Sequence, residues 1–243
     1  MLESLAQELQ DWGPRLLAGA SVTILITIVT MALATAWGLL LALLRIARLP
    51  VLYQSILLYV EIFRGLPTIV VLLFVFFGLP SAGIDISDNA IIVGIVGLTL
   101  SLGAYLSEVF RAAILAVDPG QMEAAISIGM SRGQAYRRIV LPQAFVIAVP
   151  TLGGYGIGLL KETSLLAFIS VSELLRVGND IVAATFKSFH VYFFVGAMYV
   201  ILSLLASRLV LIVERRLRPL EKRYNGSDST DLRPDLPPDM WAA

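Results

Sequence analysis

Five long apolar stretches dominate the pattern of the chain: Leu16 to Leu44, Leu52 to Leu79, Ala90 to Val117, Ile139 to Ser170 and Val191 to Val213. An apolar helix needs about 20 residues to cross a bilayer, and each stretch is long enough. The pattern predicts an all-α integral membrane fold with five transmembrane helices. Basic residues orient it. Arg45 and Arg48 follow the first stretch, Arg132, Arg137 and Arg138 precede the fourth, and Arg215, Arg216, Arg218, Lys222 and Arg223 follow the fifth. The connection holding Asp85 and Asp88 carries no basic residue, and that from Val171 to His190 mixes Glu173, Arg176, Asp180 and Lys187. The bias places the N-terminus outside and the C-terminus inside.

Between the third and fourth stretches lies a polar, basic segment, residues 118–142, that reads as a cytoplasmic helical hairpin. Asp118 can cap a helix opening at Pro119, Glu123 sits near the positive end of its dipole, and Gly129 can end it in a left-handed turn. Met122, Ala125, Ile126 and Gly129 fall on one face at the i, i+3, i+4, i+7 spacing. Ser131 can cap a second short helix before Leu141 and Pro142 begin the next membrane segment.

The chain divides into an outer-side lead-in at 1–15, a five-helix domain at 16–217 and a tail at 218–243. In the lead-in, Leu2, Leu5, Leu9 and Trp12 alternate with Glu and Gln, as in a short interfacial helix or a frayed end. After Tyr224 the tail is rich in Asp, Pro and Ser without an apolar period, and is expected to be cytoplasmic and disordered. Arg15 before the first stretch and Ala32-Leu33-Ala34 within it imitate a signal peptide. Glu3, Glu8 and Asp11 before it, and Arg45 and Arg48 after it, favour a retained anchor instead.

Composition agrees: 58% of residues are hydrophobic and 15% charged, with a mean hydropathy of +0.84, too little polar surface for a soluble domain of 243 residues. The formal net charge is zero, which points to neither nucleic acid nor an acidic partner. With no cysteine and one histidine, disulfides, thiolate metal sites and His-rich metal sites are excluded.

Ionisable residues inside a bilayer are costly and mark a cavity or a partner. Glu61 with Arg64, and Glu108 with Arg111, each lie i, i+3, either as pairs holding helices in register or as a gate that rearranges during transport. In the fourth stretch Pro150, Gly153, Gly154, Gly156 and Gly158 precede Lys161-Glu162-Thr163-Ser164. A continuous helix there would be weak, and interrupted helices often hold solute near the midplane. Lys161 can neutralise a carboxylate, Thr163 and Ser164 can donate hydrogen bonds, and Tyr155 can supply an amphipathic wall. Tight crossing at a subunit interface is the other reading of the glycines. Thr23, Thr27 and Thr30 on the first stretch, and Gly97 with Ser101 on the third, read as packing sites.

Glu123-Ala124-Ala125, Gly129 after a three-residue gap, and Ile139-Val140-Leu141-Pro142 resemble the EAA loop of ABC-importer permease subunits. Val60 to Pro80, Gly103 to Ile114 and Leu159 to Ser170 are similar to the polar amino acid uptake branch, and the likeness covers Leu16 to Leu217. The resemblance implies a permease in a bacterial cytoplasmic (inner) membrane, paired with a second permease subunit of the same or homologous sequence. It further implies two ATP-binding cassette subunits gripping the hairpins through Glu123, Ala124, Ala125, Gly129, Leu141 and Pro142, and an extracytoplasmic solute-binding protein. ATP and Mg would sit in the ATPase, with no cofactor in this chain, which has no Gly-x-x-x-x-Gly-Lys-Ser/Thr loop. The sequence departs from many relatives at Gly154-Tyr155, where they carry Asn-Glu or Asn-Gln, and at Gly156, where they carry a bulky residue. The loss of an acid argues against a cationic solute and for a larger or less charged amino acid derivative.

The alternative is a channel or ion-coupled transporter without an ATPase, for which so specific a hairpin is not required. An intramembrane hydrolase using His190 lacks a Gly-x-Ser-x-Gly elbow. A DNA-binding helix-turn-helix at Pro119 to Arg138 would have no core of its own.

Overall fold

The computed structural model describes residues 2–47 and 50–224, with side chains for residue 8 and for residues 10–47 and 50–217. Its α-helices are α1 (Leu2–Ile46), α2 (Pro50–Gly65), α3 (Thr68–Leu73), α4 (Leu79–Ser81), α5 (Ala90–Leu115), α6 (Pro119–Ser127), α7 (Arg132–Ala135), α8 (Leu141–Glu162), α9 (Leu174–Thr185) and α10 (Ser188–Tyr224). Among the described residues four helical stretches are long and apolar enough to cross a membrane: Gln10–Ile46, Ala90–Leu115, Arg132–Ile169 and Ser188–Leu217. Counting the bent pair Pro50–Gly65 and Thr68–Ser81 as one gives up to five.

That bend corrects the second predicted segment. Leu52 to Leu79 is not one straight helix but turns by 109° between Gly65 and Thr68. Pro67 has no N–H to donate and disfavours the helical conformation in Leu66, so the helix ends before it and restarts after it. The carbonyl of Arg64, at this helix end, accepts a hydrogen bond from Tyr105 Oη at 3.0 Å.

Two π turns, Phe74–Gly78 and Tyr136–Val140, each lie just ahead of a proline, Pro80 and Pro142. One extra residue in the turn moves the carbonyl that the proline ring would otherwise strike. A second correction concerns the glycine-rich fourth segment. α8 runs unbroken from Leu141 to Glu162 through Pro150 and all four glycines, and passes into a 3₁₀ turn only at Thr163–Ile169. The irregular backbone thus sits at the two ends of this segment.

The core forms where α1, α5 and α8 cross. Gly103 admits the indole of Trp37, whose Cδ1 would lie 2.5 Å from a Cβ there, and a Cβ on Gly38 would lie 2.8 Å from that of Leu106. Small residues are what allow helices to approach where lipid supplies no hydrophobic drive. Gly97 seats Leu72 of α3 in the same way, and Ser101 lies 3.4 Å from Thr68, so this predicted packing pair does meet a neighbouring helix. Trp37 donates to Tyr59 Oη at 3.0 Å and Tyr59 donates to the carbonyl of Leu100 at 2.6 Å, joining α1, α2 and α5.

A smaller core holds the other end of the bundle. α1 continues from Leu2 without a break, so residues 2–15, read as a lead-in, extend the first membrane helix; Trp12 and Leu16 bury against α9 and α10. Glu173 caps α9, accepting from the backbone N–H of Leu175 at 3.0 Å and of Arg176 at 2.7 Å, and from Tyr199 Oη at 2.7 Å. Burial pushes its carboxyl above the usual carboxylate range. α10 continues past residue 217 to Tyr224, inside the predicted tail; residues 225–243 lie outside the described residues.

Candidate coupling hairpin and solute groove

The hairpin is built by local rules. Asp118 accepts from the N–H of Gly120 at 2.8 Å and Pro119 opens α6. At its other end Gly129 adopts φ +86°, and the N–H groups of Gly129 and Met130 bond back to the carbonyls of Ile126 (2.9 Å) and Ala125 (3.1 Å). This is a Schellman stop, which calls for a residue that tolerates the left-handed region. Ser131 and Gln134 then form a reciprocal capping box that starts α7.

Packing turns only part of the predicted face inward. Ala125 is buried and Met122 packs with Tyr136 against the main core, whereas Ile126 and Gly129 face out, beside the 78% exposed Ile128. Glu123 and Ala124 are exposed as well. The result is an outward surface of small and apolar groups on a polar segment. Leu141 and Pro142 begin α8, and the next residue, Gln143, reaches back to Gln121 of α6 at 3.4 Å.

The two charge pairs differ. Glu61 and Arg64 are both exposed and, among the described residues, form no ion pair with each other; Arg64 instead lies 5.7 Å over the ring of Tyr105. Glu108 and Arg111 are paired as predicted, at 2.9 Å, and the other oxygen of Glu108 is bound by Arg45 at the end of α1.

On one side of α8 a groove of about 480 Å³ is lined by Leu102, Thr151, Gly154, Tyr155, Gly158, Leu159 and Glu162. Tyr105 borders it, 6.1 Å from the ring of Tyr155. Of the predicted solute residues, Gly154 and Tyr155 meet here; Lys161, Thr163 and Ser164 do not line it. Thr163 is buried and donates to the carbonyl of Leu160 at 2.8 Å, and Ser164 donates to that of Lys161 at 2.7 Å, so both hydroxyls are engaged within their own helix. Sequence reading passed over Glu162 as a lining residue. Helical phase carries the signal, since 151, 155, 158 and 162 follow one face at spacings of four, three and four residues.

The glycines of α8 divide between two faces. A Cβ on Gly153 would lie 2.3 Å from Cγ1 of Val210, so this glycine is a packing residue. Gly153 and Gly156 border an apolar cavity of about 630 Å³ between α1, α8 and α10. Gly154 and Gly158 face open space, with no described atom within 4 Å of a Cβ built there.

Comparison with known proteins fits this geometry. Residues 34–219 match the family described as binding-protein-dependent transport system inner membrane component. A probable amino-acid permease protein of Bacillus subtilis, YxeN, is 42% identical over 84% of this chain and 92% of its own length. The glutamine transport system permease protein GlnP of Escherichia coli is 32% identical over 86% of this chain and 99% of its own. A crystal structure of an amino acid ABC transporter with histidines superposes with a TM-score of 0.79 at 32% identity, over 86% of this chain and 97% of that one. On this match and these identities the chain belongs to the family of inner membrane components of binding-protein-dependent transport systems.

Proposed function

We propose that this protein is the membrane-spanning permease subunit of an ATP-driven importer for a polar amino acid or amino acid derivative. The observation that carries the reading is the hairpin of α6 and α7, rigidly capped at both turns yet presenting Glu123, Ala124, Ile128 and Gly129 outward. The relatives named above, amino-acid and glutamine permeases, support the solute class. In this reading the bent pair counts as the second of five spans, with the N-terminus outside and the hairpin and C-terminus inside. A second permease subunit, two ATP-binding cassette subunits holding ATP and Mg, and an extracytoplasmic binding protein complete the assembly.

The solute path runs past the groove on α8. Gly154 and Gly158 leave backbone accessible, Tyr155 and Tyr105 form the wall, and Glu162 offers a carboxylate to an ammonium group while Arg64 stands beside Tyr105. Nucleotide-driven closure of the ATPases would move the hairpin, and the flanking helices α5 and α8 would turn the groove between outward and inward access.

Reconstitution with its ATPase and binding protein tests the proposal. ATP hydrolysis and uptake are followed with labelled arginine, glutamate, glutamine and a bulky derivative. Uptake that needs ATP and favours the less charged solutes is the expected result. Uptake driven by an ion gradient without the ATPase would refute the importer reading, and dominant arginine uptake would refute the solute preference.

A further inference from the structure

Arg45 is 6% exposed, at the last turn of α1, and reaches across to α5, where its Nη1 binds Glu108 Oε1. Glu108 Oε2 is held separately by Arg111 Nε at 2.9 Å. Two cations therefore share one carboxylate, one from its own helix and one from a residue 63 positions away. A single cation would neutralise Glu108, and Arg111 already stands one turn along the same helix. Burying a second guanidinium is costly, all the more because Arg45 Nε is buried with no acceptor among the described residues. Neutralising Glu108 does not account for Arg45; joining two helices does.

The helix it joins leads directly to the hairpin. α5 ends at Leu115, three residues before the cap Asp118. Its last turns bury Phe110, Ala113 and Ile114 in one cluster with Val117 and Val140, and Ile46 of α1, Met122 of α6 and Tyr136 pack against that cluster. The end of α5 and the hairpin thus form one packed body, to which the last turn of α1 is tied by this ion pair beside the contact of Ile46.

We infer that Arg45 is a positioning residue of the transport cycle, pinning the cytoplasmic end of α1 to the body of α5 and the hairpin so that they shift together. The inference rests on the coupling role proposed above. Displacement of the hairpin then reaches the last turn of α1 as well as the Gly38–Gly103 crossing, so that the α1–α5 pair moves as one.

Arg45→Met and Arg111→Met remove the same charge and each leave Glu108 one partner, so they separate pinning from neutralisation. In proteoliposomes with the ATPase and binding protein, Arg45→Met is expected to raise the ATP hydrolysed per solute imported by roughly five- to tenfold, the range of a modest coupling energy. Arg111→Met should stay near the wild-type ratio, and Arg45→Lys should recover part of it. Equal effects of the two methionine variants, or an unchanged ratio in Arg45→Met, would overturn the inference. Were the coupling role itself wrong, the wild type would show no ATPase stimulation by loaded binding protein, a separate and recognisable failure.

Discussion

Substitutions at Gly129 separate two demands on one residue: its backbone conformation and the surface it offers. Its φ of +86° costs an L-residue about 1–2 kcal/mol, while asparagine visits that region more readily. No described atom lies within 4 Å of an added Cβ, so within this chain the penalty comes from the backbone alone. A loss of ~1.4 kcal/mol shifts the balance between closed and opened Schellman turn about tenfold, releasing the bonds to the carbonyls of Ala125 and Ile126. On backbone grounds the order of damage is Asn, then Asp, then Ala, then Val. A docked partner adds a second term, felt most by the charged Asp. ATPase activity stimulated by loaded binding protein, and recovery of the ATPase subunit with the purified chain, provide the assay, with membrane insertion as the control. We expect Asn to retain most activity, Ala to lose up to about tenfold, and Asp to fall well below Asn with insertion unchanged. Activity equal for Asn and Asp would mean that nothing docks beside Gly129. Full coupling in all four variants would refute the assignment of this turn to the coupling surface.

Neighbouring glycines on α8 should respond oppositely: Gly153→Ala meets Val210 and is expected to destabilise by roughly 1–3 kcal/mol, read as a lower Tm in detergent. Gly154→Ala meets open space, gains up to about 1 kcal/mol of helix stability, and should change solute affinity instead. Glu162→Gln is expected to raise the KM for uptake with little change in basal ATP hydrolysis; an unaltered KM would remove Glu162 from the path. At Glu173 the folded-state pKa is raised, so its contribution to stability is full below the unfolded value of about 4.3 and declines as pH rises through the folded value. The stability advantage of the wild type over Glu173→Gln should therefore shrink from pH 4 upward, and an advantage that grows with pH would contradict this.

The parts of the fold governed by neighbours in sequence were legible before any coordinates. Asp118, Gly129 and Ser131 act on residues within three or four positions, and each caps or stops a helix as its chemistry predicts. Apolar length likewise located the four helical stretches long enough to cross a membrane. What escaped depends on competition or distance. At Pro67 a local break overrode the apolar run, because hydropathy does not register a missing N–H. In α8 the reverse held: tertiary packing against α1, α5 and α10 carries a helix through Pro150 and four glycines whose propensity alone argues against it. Helical spacing pairs Glu108 with Arg111 one turn away, whereas the contact with Arg45, 63 positions distant, depends on how α1 crosses α5. Thr163 and Ser164 looked available to solute because a sequence does not reveal that their hydroxyls turn back on the preceding carbonyls.

The division of α8 into a packed side and an open side has an evolutionary consequence. Along Gly153 even a methyl group meets Val210, so change there is paid for in folding. Along Thr151, Gly154, Tyr155 and Gly158 side chains can be exchanged with little disturbance to the subunit's interior. If solute passes the proposed groove, selectivity could drift on one flank of a helix whose other flank stays fixed, and one scaffold would diversify its cargo by a few replacements a turn apart.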